Sequence, residues 1–209
     1  LPSQIIQEEI GEKSSFVVIS GPSFASELAN EQLTGVSVAA EDVALSEEVK
    51  SIFETDFLKL FPSDDVIGTQ LCAALKNVIT LGVGMLEGAG FGDNTRSFFL
   101  VRVLDEVRQL VVASGGNAET VSGLAGIGDI TLTALGASSR NLAVGKKLGA
   151  GQSLNTILQE SKSIPEGVNT VQSIGKLIQK KNLHLPLLTV VESCIFKGAS
   201  VKKLLRVMG

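Results

Sequence analysis

The chain has 209 residues, enough for one large domain or one and a half ordinary ones, and its 44% hydrophobic content can build a core without disulfide staples. Aromatics make up 4%, all of them Phe, and the net charge is −4, so both the stacking side chains and the basic footprint of a nucleic-acid-binding surface are missing. Any phosphate is expected to be held by a few placed groups rather than by a general positive field.

Leu1-Pro2-Ser3 reads as the interior of a longer sequence, with no leader segment in view. Residues 4–10 have helical character. Phe16-Val17-Val18-Ile19-Ser20 is a short apolar, β-branched run ending at Gly21-Pro22, the profile of a buried parallel strand. Residues 35–40 read as a second strand. Ser46, followed by Glu47 and Glu48, is expected to cap a helix running through Phe53. Residues 57–61 alternate and stop at Pro62, which predicts a third strand.

After Asp65 only helical runs follow, over residues 66–88, 95–113, 118–136, 139–148, 153–161, 167–181, 186–197 and 200–207. Ser153 is placed to cap one of them, and Gly149, Gly151 and Gly198 stand at helix ends. The fold expected is therefore an α/β remnant, the C-terminal part of a Rossmann-type domain, over residues 1–65, followed by an all-α domain over 66–209. The stretch 66–86 is long and apolar enough to span a bilayer, yet it carries Gln70, Lys76 and Asn77 near its middle. A central lysine costs about 2.5–3.5 kcal/mol on insertion scales, so a helix buried in protein is expected instead of a stable membrane span.

Lys76 is the only charged residue between Asp65 and Glu87. Burial of an ammonium favours the neutral amine, which can accept a proton from an alcohol. The bland alternative is a lysine that snorkels to water or pairs structurally. Gly82, Gly84, Gly88, Gly90 and Gly92 are dense, but Gly88-Ala89-Gly90-Phe91-Gly92 follows a helix and lacks the dinucleotide-fingerprint spacing. It suits close helix packing and a turn, with Asp93 or Asn94 capping the next helix.

Gly123-Leu124-Ala125-Gly126-Ile127-Gly128-Asp129 sets an acid before an apolar run, as a functional carboxylate or as a helix cap. Ser138-Ser139-Arg140-Asn141 opens a helix with hydroxyls, a guanidinium and an amide. That is an anion site in miniature or an ordinary capped helix with a solvated Arg. Gly21-Pro22-Ser23-Phe24-Ala25 turns at the carboxyl edge of a strand, where ligands bind in open α/β sheets. Glu166 can be a first-turn helix acid. His184 is the single histidine and reads as structural. Cys72 and Cys194 lack a CxxC context, so buried free thiols are expected and no metal site.

Taken in order, Ser20-Gly21-Pro22-Ser23-Phe24-Ala25, Ala74-Leu75-Lys76-Asn77-Val78-Ile79, Gly90-Phe91-Gly92-Asp93-Asn94-Thr95-Arg96, the 123–129 turn, Ser139-Arg140-Asn141 and Glu166-Gly167 resemble the bacterial- and plastid-type NAD(P)-dependent glycerol-3-phosphate dehydrogenases. That family joins an N-terminal Rossmann-type domain to an all-helical one. Its glycine-rich fingerprint and a further active-site lysine have no counterpart in these 209 residues.

The resemblance implies an oxidoreductase interconverting sn-glycerol 3-phosphate and dihydroxyacetone phosphate with NAD or NADP, serving glycerophospholipid synthesis. It also implies a homodimer in the cytoplasm or an organelle such as the plastid. Lys76 would be the proton acceptor and donor, with Asp129 its neighbour at the substrate hydroxyls. Ser139, Arg140 and Asn141 would hold the phosphate, and Gly21 and Ser23 would line the substrate pocket. Ala25, Arg140, Ile164 and Glu166 would touch the cofactor. A hydroxyacid or 6-phosphogluconate dehydrogenase of the same plan, or a non-catalytic helical dimerisation fragment, are the competing expectations.

Overall fold

The computed structural model describes residues 1–11, 15–136, 139–160 and 166–209. A short three-stranded sheet with its helices is followed by a mostly helical remainder. The chain forms two compact units, Leu1–Ala73 with Val111–Asp129, and Ala74–Leu110 with Ile130–Gly209.

In the first unit, helix α1 (Pro2–Ile10) starts on a proline, whose fixed φ suits the first helical turn. Strands β1 (Val18–Ser20), β2 (Thr34–Ala39) and β3 (Leu58–Ser63) lie in the order β1-β2-β3. β2 pairs with β3 in parallel, Thr34 opposite Leu58 and Ala39 opposite Ser63. Val36, Val38 and Leu60 point to one face and form a small core with Val17, Val49 and Leu58. Helix α3 (Val43–Phe53) joins the two parallel strands, as a parallel pair requires.

Three local expectations change. β1 is antiparallel to β2, Val18 opposite Ala39, and not parallel. The connection between them holds only the five-residue α2 (Ala25–Ala29), too short for a crossover helix. β1 is an edge of this sheet, with Ile19 51% exposed, which explains why an apolar run did not mean a buried strand. The cap of α3 is Asp42, whose carboxylate accepts the Ala44 N–H at 2.9 Å. Ser46 lies inside that helix, buried, with its hydroxyl donating back to the Val43 carbonyl at 2.8 Å. β3 runs through Pro62 because it too is an edge of this sheet, where a missing N–H is tolerated.

Asp65 ties the rest of this unit together. One carboxylate oxygen accepts the Gly68 N–H at 2.8 Å and so caps α4 (Val66–Gly88). The other accepts the Asn117 N–H at 2.8 Å and the Thr120 hydroxyl at 2.5 Å, at the start of α6 (Ala118–Val121). The predicted helical run 118–136 is broken. After α6 comes a π-helical turn (Leu124–Gly128) in which Gly126 leaves helical dihedrals, at φ −92° and ψ −107°. A Cβ there would strike the Val121 carbonyl, so the kink requires glycine. Helix α7 (Asp129–Leu135) follows.

The second unit holds Ala74–Gly88 of α4, most of α5 (Asp93–Ala113), all of α7 but Asp129, and α8 (Arg140–Gly149), α9 (Leu154–Glu160), α10 (Glu166–Lys180), α11 (Pro186–Phe196) and α12 (Lys202–Met208). Asp93 is the first residue of α5, so it acts within the first turn instead of capping it. Among the described residues α4 is the one helix long and apolar enough to cross a membrane, and 72% of its most apolar stretch is buried.

Its glycines explain the neighbours. A Cβ on Gly84 would come within 2.5 Å of the Leu142 carbonyl oxygen, and Gly88, Gly145 and Gly149 likewise meet backbone of the opposing helix. Gly84 and Gly88 on α4 therefore cross Gly145 and Gly149 on α8 backbone to backbone. Elsewhere in the unit, the carboxylate of Glu106 on α5 accepts the Leu187 and Leu188 N–H groups at 2.8 and 2.9 Å. These are first-turn donors of α11, behind Pro186, that have no partner within their own helix.

Candidate active site

In the second unit three sequence motifs meet through two hydrogen bonds. Lys76 is half-buried on α4, its carbonyl taken by the Thr80 hydroxyl at 2.6 Å. The next residue, Asn77, accepts at Oδ1 from Nδ2 of Asn141, 2.9 Å away. Oδ1 of Asn141 in turn accepts the Gly167 N–H at 3.2 Å. Asn141 is 8% exposed, so these bonds form away from water, where an unmade one would cost most. The neighbours of Lys76, Arg140 and Glu166 are thus chained together.

Arg140 itself is exposed at the first residue of α8. Ser139 is the cap, accepting the Leu142 N–H at 3.3 Å, and no acid lies in the first turn. A helix start that carries a guanidinium and no carboxylate attracts anions. Glu166 is exposed at the first residue of α10, an acid in the first turn as its position suggested. Ile164 lies outside the described residues, as does Ser138.

In the first unit the 20–25 turn and the 123–129 turn touch. The Ser20 hydroxyl donates to Oδ2 of Asp129 at 3.4 Å, and a Cβ on Gly128 would lie 3.4 Å from Pro22 Cδ. Asp129 is 2% exposed and has helical dihedrals, so it is a buried carboxylate and not the N-cap of α7. Gly21 is buried, and a Cβ on it would sit 2.9 Å from the Val36 Cα, which explains the glycine by close approach. Ser23 is exposed and donates to the Gly21 carbonyl at 3.2 Å, while Ala25 is exposed at the start of α2. Cys72 lies in the same unit. Burial, then the carboxylates of Asp65 and Asp129, push its thiol up to about 12.

The Gly90–Arg96 motif serves an ion-pair network. Glu87 accepts from Arg96 at 2.8 Å and from Lys146 at 2.7 Å, and Arg96 also pairs with Asp93. Among the described residues no group of three or more His, Cys, Asp or Glu side chains could hold a metal ion. His184 is exposed, and both cysteines are free thiols, Cys72 buried and Cys194 half-buried. Sequence reasoning gave no individual role to Asn77, Ser20 or Asp65. The available signal was two adjacent polar residues, Lys76 and Asn77, in an otherwise apolar helix.

Residues 65–206 match the family described as the NAD-dependent glycerol-3-phosphate dehydrogenase C-terminus, and residues 1–46 match its N-terminus. A glycerol-3-phosphate dehydrogenase [NAD(P)+] of Ligilactobacillus salivarius is 37% identical over 202 residues, 96% of this chain and 60% of that protein. One from Citrifermentans bemidjiense is 38% identical over 203 residues, 96% of this chain and 61% of that protein. The crystal structure of the glycerol-3-phosphate dehydrogenase of Coxiella burnetii superposes with a TM-score of 0.91 at 30% identity, covering 99% of this chain and 63% of that one. The chain thus spans about 60% of the length of the curated relatives it matches. With both family segments matched in order along it, the chain belongs to the NAD-dependent glycerol-3-phosphate dehydrogenase family.

Proposed function

We propose that the full-length protein is an oxidoreductase that interconverts sn-glycerol 3-phosphate and dihydroxyacetone phosphate with NAD or NADP. The observation that carries this reading is the pair of bonds Asn77–Asn141–Gly167, which ties the surroundings of a half-buried lysine to an anion-attracting helix start and to an exposed glutamate.

The substrate's phosphate is held at the start of α8 by the Arg140 guanidinium, by Ser139 and by Asn141, whose backbone N–H serves while its side-chain amide is taken by Asn77 and Gly167. Binding at this fixed anchor orients the alcohol carbon for reaction. Lys76 takes the proton of the C2 hydroxyl as the carbonyl forms, and returns it in the reverse direction. In the first unit, where the Ser20 hydroxyl donates to Asp129, the residues that the resemblance assigns to the substrate are Asp129, Gly21 and Ser23.

Within the second unit two groups suit a dinucleotide: a guanidinium for phosphoryl oxygens at Arg140 and a carboxylate for a hydroxyl at Glu166, while in the first unit the resemblance assigns Ala25 to it. When bound, the dinucleotide supplies the hydride acceptor or donor.

The test is turnover of glycerol 3-phosphate by the full-length protein and its Lys76→Ala variant. Removing a positioned acid/base is expected to cut kcat by a factor of about 10² or more. Near-normal turnover in that variant, or equal turnover of a non-phosphorylated hydroxyacid by the unsubstituted protein, would overturn the reading.

A further inference from the structure

An asparagine amide offers a donor on one side and an acceptor on the other, and its two ends are told apart by their partners. The Gly167 N–H can only donate, so it must face Oδ1 of Asn141. The Nδ2 group of Asn141 then faces Asn77, which must present its own oxygen. The network has one self-consistent assignment, and Asn77 is its terminus. All three residues belong to the same compact unit.

What hangs on this orientation is the start of α10. Its first-turn N–H groups have no partner within the helix, and Gly167 finds one in Asn141. The backbone is pressed home at that point. A Cβ on Gly167 would lie 2.5 Å from Asn141 Oδ1 and 2.9 Å from the Leu81 side chain. Glu166 is the preceding residue, so its position follows that of the Gly167 N–H. An Asn141 amide released at its far end is held by the Gly167 N–H alone, so it loses its second restraint and grips that N–H less firmly.

We propose that Asn77 is a positioning residue: through the Asn141 amide it holds the start of α10, and Glu166 with it, in place for the dinucleotide. The inference rests on the dehydrogenase reading above and adds a residue that acts on the cofactor's side from the lysine's own helix.

The test uses the full-length protein with hydrogen exchange at the Gly167 amide, NADH affinity by nicotinamide fluorescence, and glycerol 3-phosphate affinity by calorimetry. In Asn77→Ala, Gly167 exchange rises by about tenfold or more and NADH binds roughly tenfold more weakly, the scale of one lost hydrogen bond. Glycerol 3-phosphate affinity stays within about threefold, because Arg140, Ser139 and the Asn141 backbone N–H are untouched. Asn77→Asp keeps an acceptor oxygen and brings both cofactor-side readouts back to within about threefold of the unsubstituted protein. Should Asn77→Ala fail to fold, Asn77→Ser carries the same expectation, its hydroxyl being too short to reach Nδ2. Unchanged exchange and NADH affinity in the Ala variant, equal weakening of both ligands, or an Asp variant as impaired as Ala would overturn the inference while leaving the dehydrogenase reading standing. Failure of the unsubstituted protein to bind either NADH or NADPH would sink that reading and this one together.

Discussion

Glu106 carries the sharpest stability prediction. It is 5% exposed, and its two oxygens receive the Leu187 and Leu188 N–H groups at the start of α11. Glu106→Ala leaves both donors buried and unpaired. At about 1–3 kcal/mol for each, the expected loss is about 2–6 kcal/mol. Glu106→Gln keeps one acceptor oxygen but turns an NH₂ toward the second donor, and is expected to cost about half as much.

The pH dependence has its own sign. Burial raises the Glu106 pKa above its ordinary 4.5, against the opposing pull of the Leu188 and Leu187 N–H groups, His184 and Arg102. The folded state therefore holds this proton more tightly than the unfolded chain. The contribution is fully present below pH 4.5 and is lost as pH rises through the folded value. The stability of the unsubstituted protein should accordingly fall as pH is raised above 4.5, and the part of that fall due to Glu106 should be absent in the Gln variant. Urea denaturation of the three proteins across that range is the assay. A Glu106→Ala loss below about 1 kcal/mol, or a Gln variant as unstable as Ala, would refute the reasoning.

Two further outcomes are expected. Gly145→Ala would normally favour a helix by about 0.5–1 kcal/mol, but here its Cβ meets the Leu81 carbonyl and Gly84 Cα, so a net loss of about 1–3 kcal/mol is expected in chemical denaturation. Cys72, buried with its thiol up at about 12, should resist iodoacetamide at pH 8 while half-buried Cys194 is alkylated roughly tenfold faster or more, as read by peptide mass spectrometry.

Much of the helical part was legible because its signals are local. The long, mostly apolar run predicted α4 at the bounds observed, Val66–Gly88, and the glycine density in it correctly suggested close helix packing. Errors came where a local signal had two readings. An apolar, β-branched run can be a buried parallel strand or an antiparallel edge, and β1 is the latter. Asp42 and Ser46 are both good helix caps, and the hydroxyl found a partner inside the helix. The Asn77–Asn141–Gly167 chain joins residues 64 and 26 positions apart, and no periodicity encodes such a meeting. Family resemblance marked out the motifs but not the bonds between them.

The crossing of Gly84 and Gly88 with Gly145 and Gly149 has a mechanical consequence. Where two helices touch through side chains, rotamer changes let them slide; here backbone abuts backbone, and no rotamer exists to yield. Lys76 stands on one of these rods and Arg140 on the other. Their mountings are therefore held like the jaws of a fixed-gap calliper, and under the proposed function it is this gap that the distance between a substrate's anionic end and its alcohol has to match.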